Sequence, residues 1–266
     1  MWKLLTSLSV WMIILGTQVA QANVESCAHV APYGLPQIEL SNSQVICRRG
    51  YVLQHDNQAR IPAWVSYTLT RAQTLTCGGP RPERFEPDPE LRSSQRSDMT
   101  DYRRSGYDQG HMAPNADLSW DAQVQRESFY LSNIAPQLPG LNRGLWRELE
   151  AIVRSWAYER GSLTIYVGPV YSRNSMRTIG ANRVVVPDAF FKIIIDNQSG
   201  AHQSFLFPHV AELPDQVNAV RSTLNEIQQL TRIQFPLAAQ AREAVTTWSY
   251  NTRQLHRHRS QVCNSN

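Results

Sequence analysis

The sequence contains no C-x-x-C pair, no internal repeat and no convincing linker, and past its first residues it has no apolar run long enough to cross a bilayer. Each absence excludes something. Without paired cysteines a zinc site is disfavoured. Without repeats the solenoid architectures fall away. Without a linker the chain reads as one domain rather than two. Charge is also sparse: 18% of residues are charged, and the net formal charge is only +4. A basic excess that small permits a polyanionic partner but does not require one. The 42% apolar content excludes a disordered chain and supplies a core.

What is present starts with an export signal. Lys3 supplies a positive first region, Leu4 to Leu15 is mostly apolar, and Ala20-Gln21-Ala22 offers the small residues that a signal peptidase reads. The expectation is a signal peptide over 1–22, cleaved before Asn23, and a single domain over 23–266 in the periplasm or outside the cell. The run is shorter than the roughly 20 residues of a membrane span and is diluted by Thr6, Ser7 and Ser9, so no stable membrane association is expected after cleavage. Four cysteines, Cys27, Cys47, Cys77 and Cys263, remain after cleavage. An even number in an exported chain implies disulfides. Three pairings are open; Cys27–Cys47 with Cys77–Cys263 is favoured, because the first closes a local loop and the second ties down the C-terminus.

Trp64 to Thr70 alternates and is rich in β-formers, so it predicts a strand, as do Leu163 to Val170, Arg183 to Asp196 and Ser204 to Phe207. Leu141, Leu145, Trp146, Leu149, Ile152, Val153 and Trp156 keep helical spacing up to Gly161. A second helix is expected over 215–231. Residues 78–106 are polar, arginine-rich and broken by proline, which predicts a long loop. Arg253 to Arg259 reads as a solvated tail. The fold class expected is α+β around a central, mainly antiparallel sheet.

Three blocks carry the chemistry. In Gly106-Tyr-Asp-Gln-Gly-His111-Met-Ala-Pro114, small and turn-prone residues surround one histidine, whose ordinary pKa suits the activation of water. Phe129 to Gln137 places Asn133 after an apolar stretch, where a turn or cap role competes with a functional one. Leu141 to Glu150 opens the first strong helix with Asn142 in its first turn. An asparagine oxygen is a hard, neutral ligand suited to magnesium, which keeps most of its waters. On a continuous helix Asn142, Glu150 and Arg154 share an arc of roughly 120°, with Asn142 and Glu150 about 12 Å apart along the axis. Glu150 is therefore placed to act through water rather than as a ligand. The plain alternative is that Glu150 and Arg154 form an i, i+4 ion pair.

Together the blocks closely resemble the DNA/RNA non-specific endonuclease family, the endonuclease G-like ββα-metal nucleases. The family signature Asp-Arg-Gly-His, then an apolar residue, Ala and Pro, is matched from Asp108 to Pro114. Tyr130-Leu-Ser-Asn133-Ile-Ala-Pro-Gln137 and Asn142-Arg-Gly-x-Trp146-x-x-Leu-Glu150 follow in order. Weaker similarity runs from Trp64 to about Phe235. The resemblance implies a ββα-metal catalytic motif and cleavage of DNA and RNA with little sequence preference, leaving 5′-phosphates. It implies His111 as general base, Asn133 holding the geometry near His111, and Asn142 as the sole direct protein ligand of one Mg²⁺, for which Mn²⁺ can substitute. It implies Glu150 positioning water and Arg154 stabilising charge on phosphate. Arg84 is the best match for an upstream phosphate-binding arginine.

One position departs from the pattern. Gln109 stands where the family has arginine. Charge-assisted bonds to phosphate are roughly twice as strong as neutral ones, so this weakens substrate contacts unless Arg103 or Arg104 compensates. The rival readings are a catalytically weakened, nuclease-like nucleic-acid-binding protein, and a magnesium phosphodiesterase acting on small substrates. The arginine-rich loop favours a long polyanion over the latter.

Overall fold

The computed structural model describes residues 27–172, 177–237, 243–244 and 246–264. The expected signal segment lies outside the described residues. The chain lays down strands β1 (Ser43–Cys47), β2 (Val52–Asp56) and β3 (Ile61–Thr70), then β4 (Asp108–His111) and β5 (Ile134–Gln137). After the main helices come β6 (Ser162–Val170), β7 (Thr178–Ile179), β8 (Val184–Val185), β9 (Ala189–Asp196), β10 (His202–Pro208) and β11 (Arg221–Ser222). Seven of these form one antiparallel sheet in the order β1-β2-β3-β6-β9-β10-β11, as the α+β expectation requires.

Side chains alternate across this sheet, and both faces are covered. On β9, Phe190 and Ile194 join the core cluster on one face, while Phe191, Ile193 and Ile195 join the cluster on the other. The first face packs on helix α2 (Leu145–Arg160), through Trp146, Leu149, Val153 and Trp156. The second is covered by the N-terminal segment around Val30 and by Ile227 of helix α3 (Leu224–Thr231). Each buried Ile, Leu or Phe contributes about 1.5–3 kcal/mol by removal from water. Lys192 falls on the α2 face of β9, between Phe190 and Ile194 in the alternation.

Strands β4 and β5 make a separate antiparallel pair, Asp108 opposite Gln137 and His111 opposite Ile134. The short helix α1 (Pro139–Arg143) follows β5, and α2 follows α1. Here the structure corrects the sequence reading. Asn142 is not in the first turn of the long helix; it belongs to α1. The two are separated at Gly144, whose backbone (φ −102°, ψ −114°) is not helical. A Cβ there would lie 2.4 Å from the Gly140 carbonyl oxygen, so only glycine fits the break.

Other expectations change too. The strand expected over 183–196 is split into β8 and β9 across Pro187. The helix expected over 215–231 begins only at Leu224, capped by the Thr223 side chain; Val217 and Val220 are buried instead from a 3₁₀ turn, and Arg221–Ser222 pairs with β10. The 78–106 loop is anchored rather than loose. Leu91 and Tyr102 enter the core, and buried Asp88 accepts from Arg48 at 2.6 Å and Ser132 at 2.5 Å. Arg253 to Arg259 is largely exposed, as expected, but it is part of helix α4 (Thr252–Asn264) rather than a tail, with Leu255 buried. Disulfides join Cys27 to Cys47 and Cys77 to Cys263, the favoured pairing, and the second fixes α4 to the start of the long loop.

Candidate active site

His111 ends β4 with its ring against both Phe85 and Phe129, each 5.1 Å away between centroids. Its Nε2 is shut off from solvent and has no hydrogen-bond partner among the described residues, whereas the residue as a whole is half-buried. Burial, with the Arg81 charge adding to it, pushes the His111 pKa down to about 3, so the imidazole is neutral at ordinary pH. The glycine of the block has a steric reason: a Cβ on Gly110 would lie 2.1 Å from the Gln137 side chain packed over it from β5.

Asn133 sits in a 3₁₀ turn (Leu131–Asn133), fully buried. Its Oδ1 accepts from the Ala113 N–H at 2.9 Å, and its Nδ2 donates to the Ala113 and Ser128 carbonyls, both at 2.9 Å. The Met112 N–H also bonds to the Asn133 carbonyl. Two of these bonds go to Ala113, in the segment that leaves His111, and the third to Ser128, so the side chain is spent on backbone groups.

Asn142 donates from Nδ2 to Asp108 Oδ2 at 2.9 Å. Arg143 clamps both oxygens of the same carboxylate at 2.8 and 2.6 Å, which together hold the Asp108 carboxyl below its usual range despite burial. With Nδ2 committed to Asp108, the Asn142 Oδ1 is the side-chain atom without a hydrogen-bond partner among the described residues, and so the one available to a ligand. His209 fixes the start of α1 from beneath. Its Nδ1 donates to the Pro187 carbonyl at 2.7 Å and its Nε2 accepts the Leu138 N–H at 2.7 Å. Nothing in the sequence pattern singled out His209 or the role of Asp108.

The Glu150–Arg154 ion pair of the plain reading does not form as such. Arg154 bonds instead to buried Asp117 at 2.8 Å, and Asp117 also accepts from Tyr67 at 2.9 Å. Burial raises the Glu150 pKa, while Lys192 and Arg154 pull it back down. Lys192 is buried, lies 4.2 Å over the Trp146 ring, and has no hydrogen-bond partner on Nζ. The chain has only two lysines, Lys3 and Lys192. Placing one of them here gives Glu150 a cationic neighbour in a low-dielectric setting. Because α1 and α2 are separate, Glu150 and Arg154 do not share one helical arc with Asn142. Arg154 and Arg147 of α2 line a groove of about 720 Å³ together with Arg143 of α1, Leu213 and Pro214.

The expected substrate contacts are placed unequally. Arg84 is 82% exposed and 3.7 Å from Glu86. Arg104 is exposed on a left-handed turn residue, φ 58°. Gln109 is half-buried, two residues before His111 and so on the same strand face. The cation nearest the histidine is one the sequence reading did not name: Arg81, 5.2 Å over the Phe129 ring and close enough to depress the His111 pKa.

Among the described residues no group of three or more His, Cys, Asp and Glu side chains converges to hold a metal. A structural or catalytic zinc site does not fit that donor set. A hard divalent ion that keeps its waters does fit, because it needs one or two protein oxygens, and the Asn142 amide oxygen beside the Asp108 carboxylate provides a neutral one.

Comparison with known proteins bears on the same residues. The family model described as DNA/RNA non-specific endonuclease matches residues 31–250. The chain is 35% identical over 181 residues to Endonuclease G, mitochondrial, from Homo sapiens, covering 64% of this chain and 59% of that protein. It is 32% identical over 178 residues to Nuclease C1 from Cunninghamella echinulata var. echinulata, covering 62% of this chain and 71% of that protein. The match thus spans about three fifths of the human relative's length. A solved structure of EndoG in complex with EndoGI superposes with a TM-score of 0.72 at 29% identity, covering 79% of this chain and 91% of that one. The fold is that of the ββα-metal nucleases, which are divalent-metal-dependent. The chain belongs to the DNA/RNA non-specific endonuclease family.

Proposed function

We propose that this protein is an exported, Mg²⁺-dependent endonuclease that hydrolyses DNA and RNA with little sequence specificity and leaves 5′-phosphates. The observation that carries the reading is one structural unit, β4-β5-α1. It brings together a half-buried His111 at the end of β4 and an Asn142 whose side-chain amide is held by Asp108 of the same strand.

In this mechanism His111 takes a proton from the attacking water as its oxygen bonds to phosphorus. The bond from phosphorus to the 3′ oxygen breaks, and the phosphate stays on the 5′ side. Asn142 would hold Mg²⁺, with Mn²⁺ able to substitute, and the ion when bound would supply stabilisation of charge developing on phosphate and on the leaving oxygen. Arg154, aimed by Asp117, adds positive charge to the groove side. Glu150, whose pKa burial raises while Lys192 and Arg154 pull it back, orders water in the site. Asn133 acts as a positioning residue through Ala113. Arg84, Arg104 and Gln109 contact the phosphate backbone of the substrate. End analysis tests the product claim: fragments that accept a radiolabelled 5′-phosphate only after phosphatase treatment support it, and fragments labelled without phosphatase contradict it.

Export rests on the 1–22 segment and on two disulfides, which persist in oxidising compartments. The human relative's name places that protein in mitochondria. The leader here has one lysine and no arginine, unlike an arginine-rich transit peptide. N-terminal sequencing of exported protein starting at Asn23 would support cleavage; retention of Met1 would refute it.

A further inference from the structure

Helix α4 lies beyond the family-matched region, which ends at residue 250. Its thirteen residues include three arginines and two histidines and no Asp or Glu. It is held at several points. Leu255 is buried, Cys263 is bonded to Cys77, Arg259 donates to the Thr76 carbonyl at 3.0 Å, and His258 bonds to Tyr158 of α2 at 2.8 Å. Its start is fixed as well, the Asn251 N–H donating to Ser155 Oγ at 2.9 Å. These contacts settle which face is inward. At 100° per residue, Arg253, His256 and Arg257 fall within about 100° of one another on the opposite, exposed face. Among the described residues neither Arg253 nor Arg257 makes an ion pair.

A helix that only closes the fold has no need of a rigid cationic outer face lacking any compensating acid. Its position supplies the reason. The disulfide brings α4 to Cys77, with 5.4 Å between the two Cα atoms. Four residues on, at most about 14 Å of chain, is Arg81, which sits over Phe129 against His111. Helix α2, on which α4 packs at Tyr158, rises about 20 Å from Leu145, just after the break at Gly144, to Tyr158.

We propose that the exposed face of α4, Arg253, His256 and Arg257, is a second, non-catalytic nucleic-acid contact that grips the phosphate backbone away from the cleaved bond. The inference rests on the nuclease reading above, and its occupant is the polyanion that this reading makes the substrate. The Cys77–Cys263 bond orders the arm before substrate arrives, so binding does not have to order it.

The test uses the full mature chain with both disulfides intact, in EDTA so that no cleavage occurs. Anisotropy of labelled 8-bp and 30-bp duplexes is measured at several salt concentrations for wild type and for Arg253→Gln/His256→Gln/Arg257→Gln. The variant should bind the 30-bp duplex about tenfold more weakly at 0.1 M salt, with the slope of log K against log salt shallower by about 2. Its 8-bp affinity and its kcat on plasmid with Mg²⁺ should match wild type. Unchanged 30-bp affinity and slope, with normal wild-type cleavage, would overturn the arm alone. A wild-type protein that neither binds nor cleaves would overturn the nuclease reading instead. Arg253→Glu/Arg257→Glu should exaggerate the loss, and circular dichroism melting separates a charge effect from unfolding.

Discussion

The side-chain amide of Asn142 donates to Asp108 at 2.9 Å, and Arg143 fixes the same carboxylate from the other side. The aspartate that opens the histidine block therefore sets the orientation of an asparagine 34 residues away. It links β4, which ends in His111, to the helix that carries the proposed metal ligand.

Asp108→Asn should break that orientation without removing either proposed catalytic group. An asparagine at 108 keeps the size but loses the charge that holds Arg143. Groups that orient a metal ligand are typically worth 10–100-fold in affinity or activity. The Mg²⁺ concentration needed for half-maximal cleavage should rise by about that factor, and saturating Mg²⁺ should recover most of kcat. An unchanged Mg²⁺ requirement would remove Asp108 from the account.

Gln109 stands beside His111 where the family has arginine, and Arg81 supplies a charge nearby. Gln109→Arg should raise kcat/KM on DNA about tenfold, equivalent to about 1.4 kcal/mol. The gain should be larger in an Arg81→Gln background, where the local cation is missing. No gain in either background would mean that the site has no use for charge at 109.

Four histidines, His55, His111, His202 and His209, have pKa values lowered, each with burial as the leading cause. In the unfolded chain a histidine takes up a proton as pH falls through about 6.5. In the folded chain these do so only at lower pH, so the unfolded state binds more protons in between. Stability is therefore full above about pH 6.5 and is lost as pH falls towards the folded values, for His111 about 3. Each such group contributes up to about 1.4 kcal/mol of loss per pH unit. The melting temperature should fall steadily from pH 7 to pH 4. His209→Asn, which removes one of these groups and the contact to Leu138, should lower the melting temperature at pH 7 and flatten the pH dependence. A melting temperature independent of pH over that range would contradict the assignment.

Much of the architecture could be read from the chain because its signals are local. Alternation in Trp64–Thr70 and the apolar spacing of Leu145–Trp156 each specify a face to bury, and the sheet and α2 satisfy both. The break at Gly144 was not legible, because it depends on how close the Gly140 carbonyl lies to the position of a Cβ. Residues 215–223 look helical in spacing, but Thr223 caps the helix late and Arg221 pairs with β10. Arg253–Arg259 looked like a tail because its helix is stabilised from outside, by Cys77, Thr76 and Tyr158. His111, Asn133 and Asn142 stood out through their blocks. Asp108, His209, Arg81 and Lys192 act through partners far away in sequence, and a motif records no such partners.

The central claim is that His111 activates water in a divalent-metal nuclease. Its most direct test is cleavage of supercoiled plasmid and of RNA by purified mature protein, wild type against His111→Ala, with Mg²⁺ or with excess EDTA. Wild type should cut both substrates with Mg²⁺ and neither with EDTA. Loss of the general base should slow cleavage by about 10²–10⁴-fold at every Mg²⁺ concentration while DNA binding at low salt persists. Cleavage by His111→Ala at the wild-type rate, or undiminished wild-type cleavage in EDTA, would contradict the account.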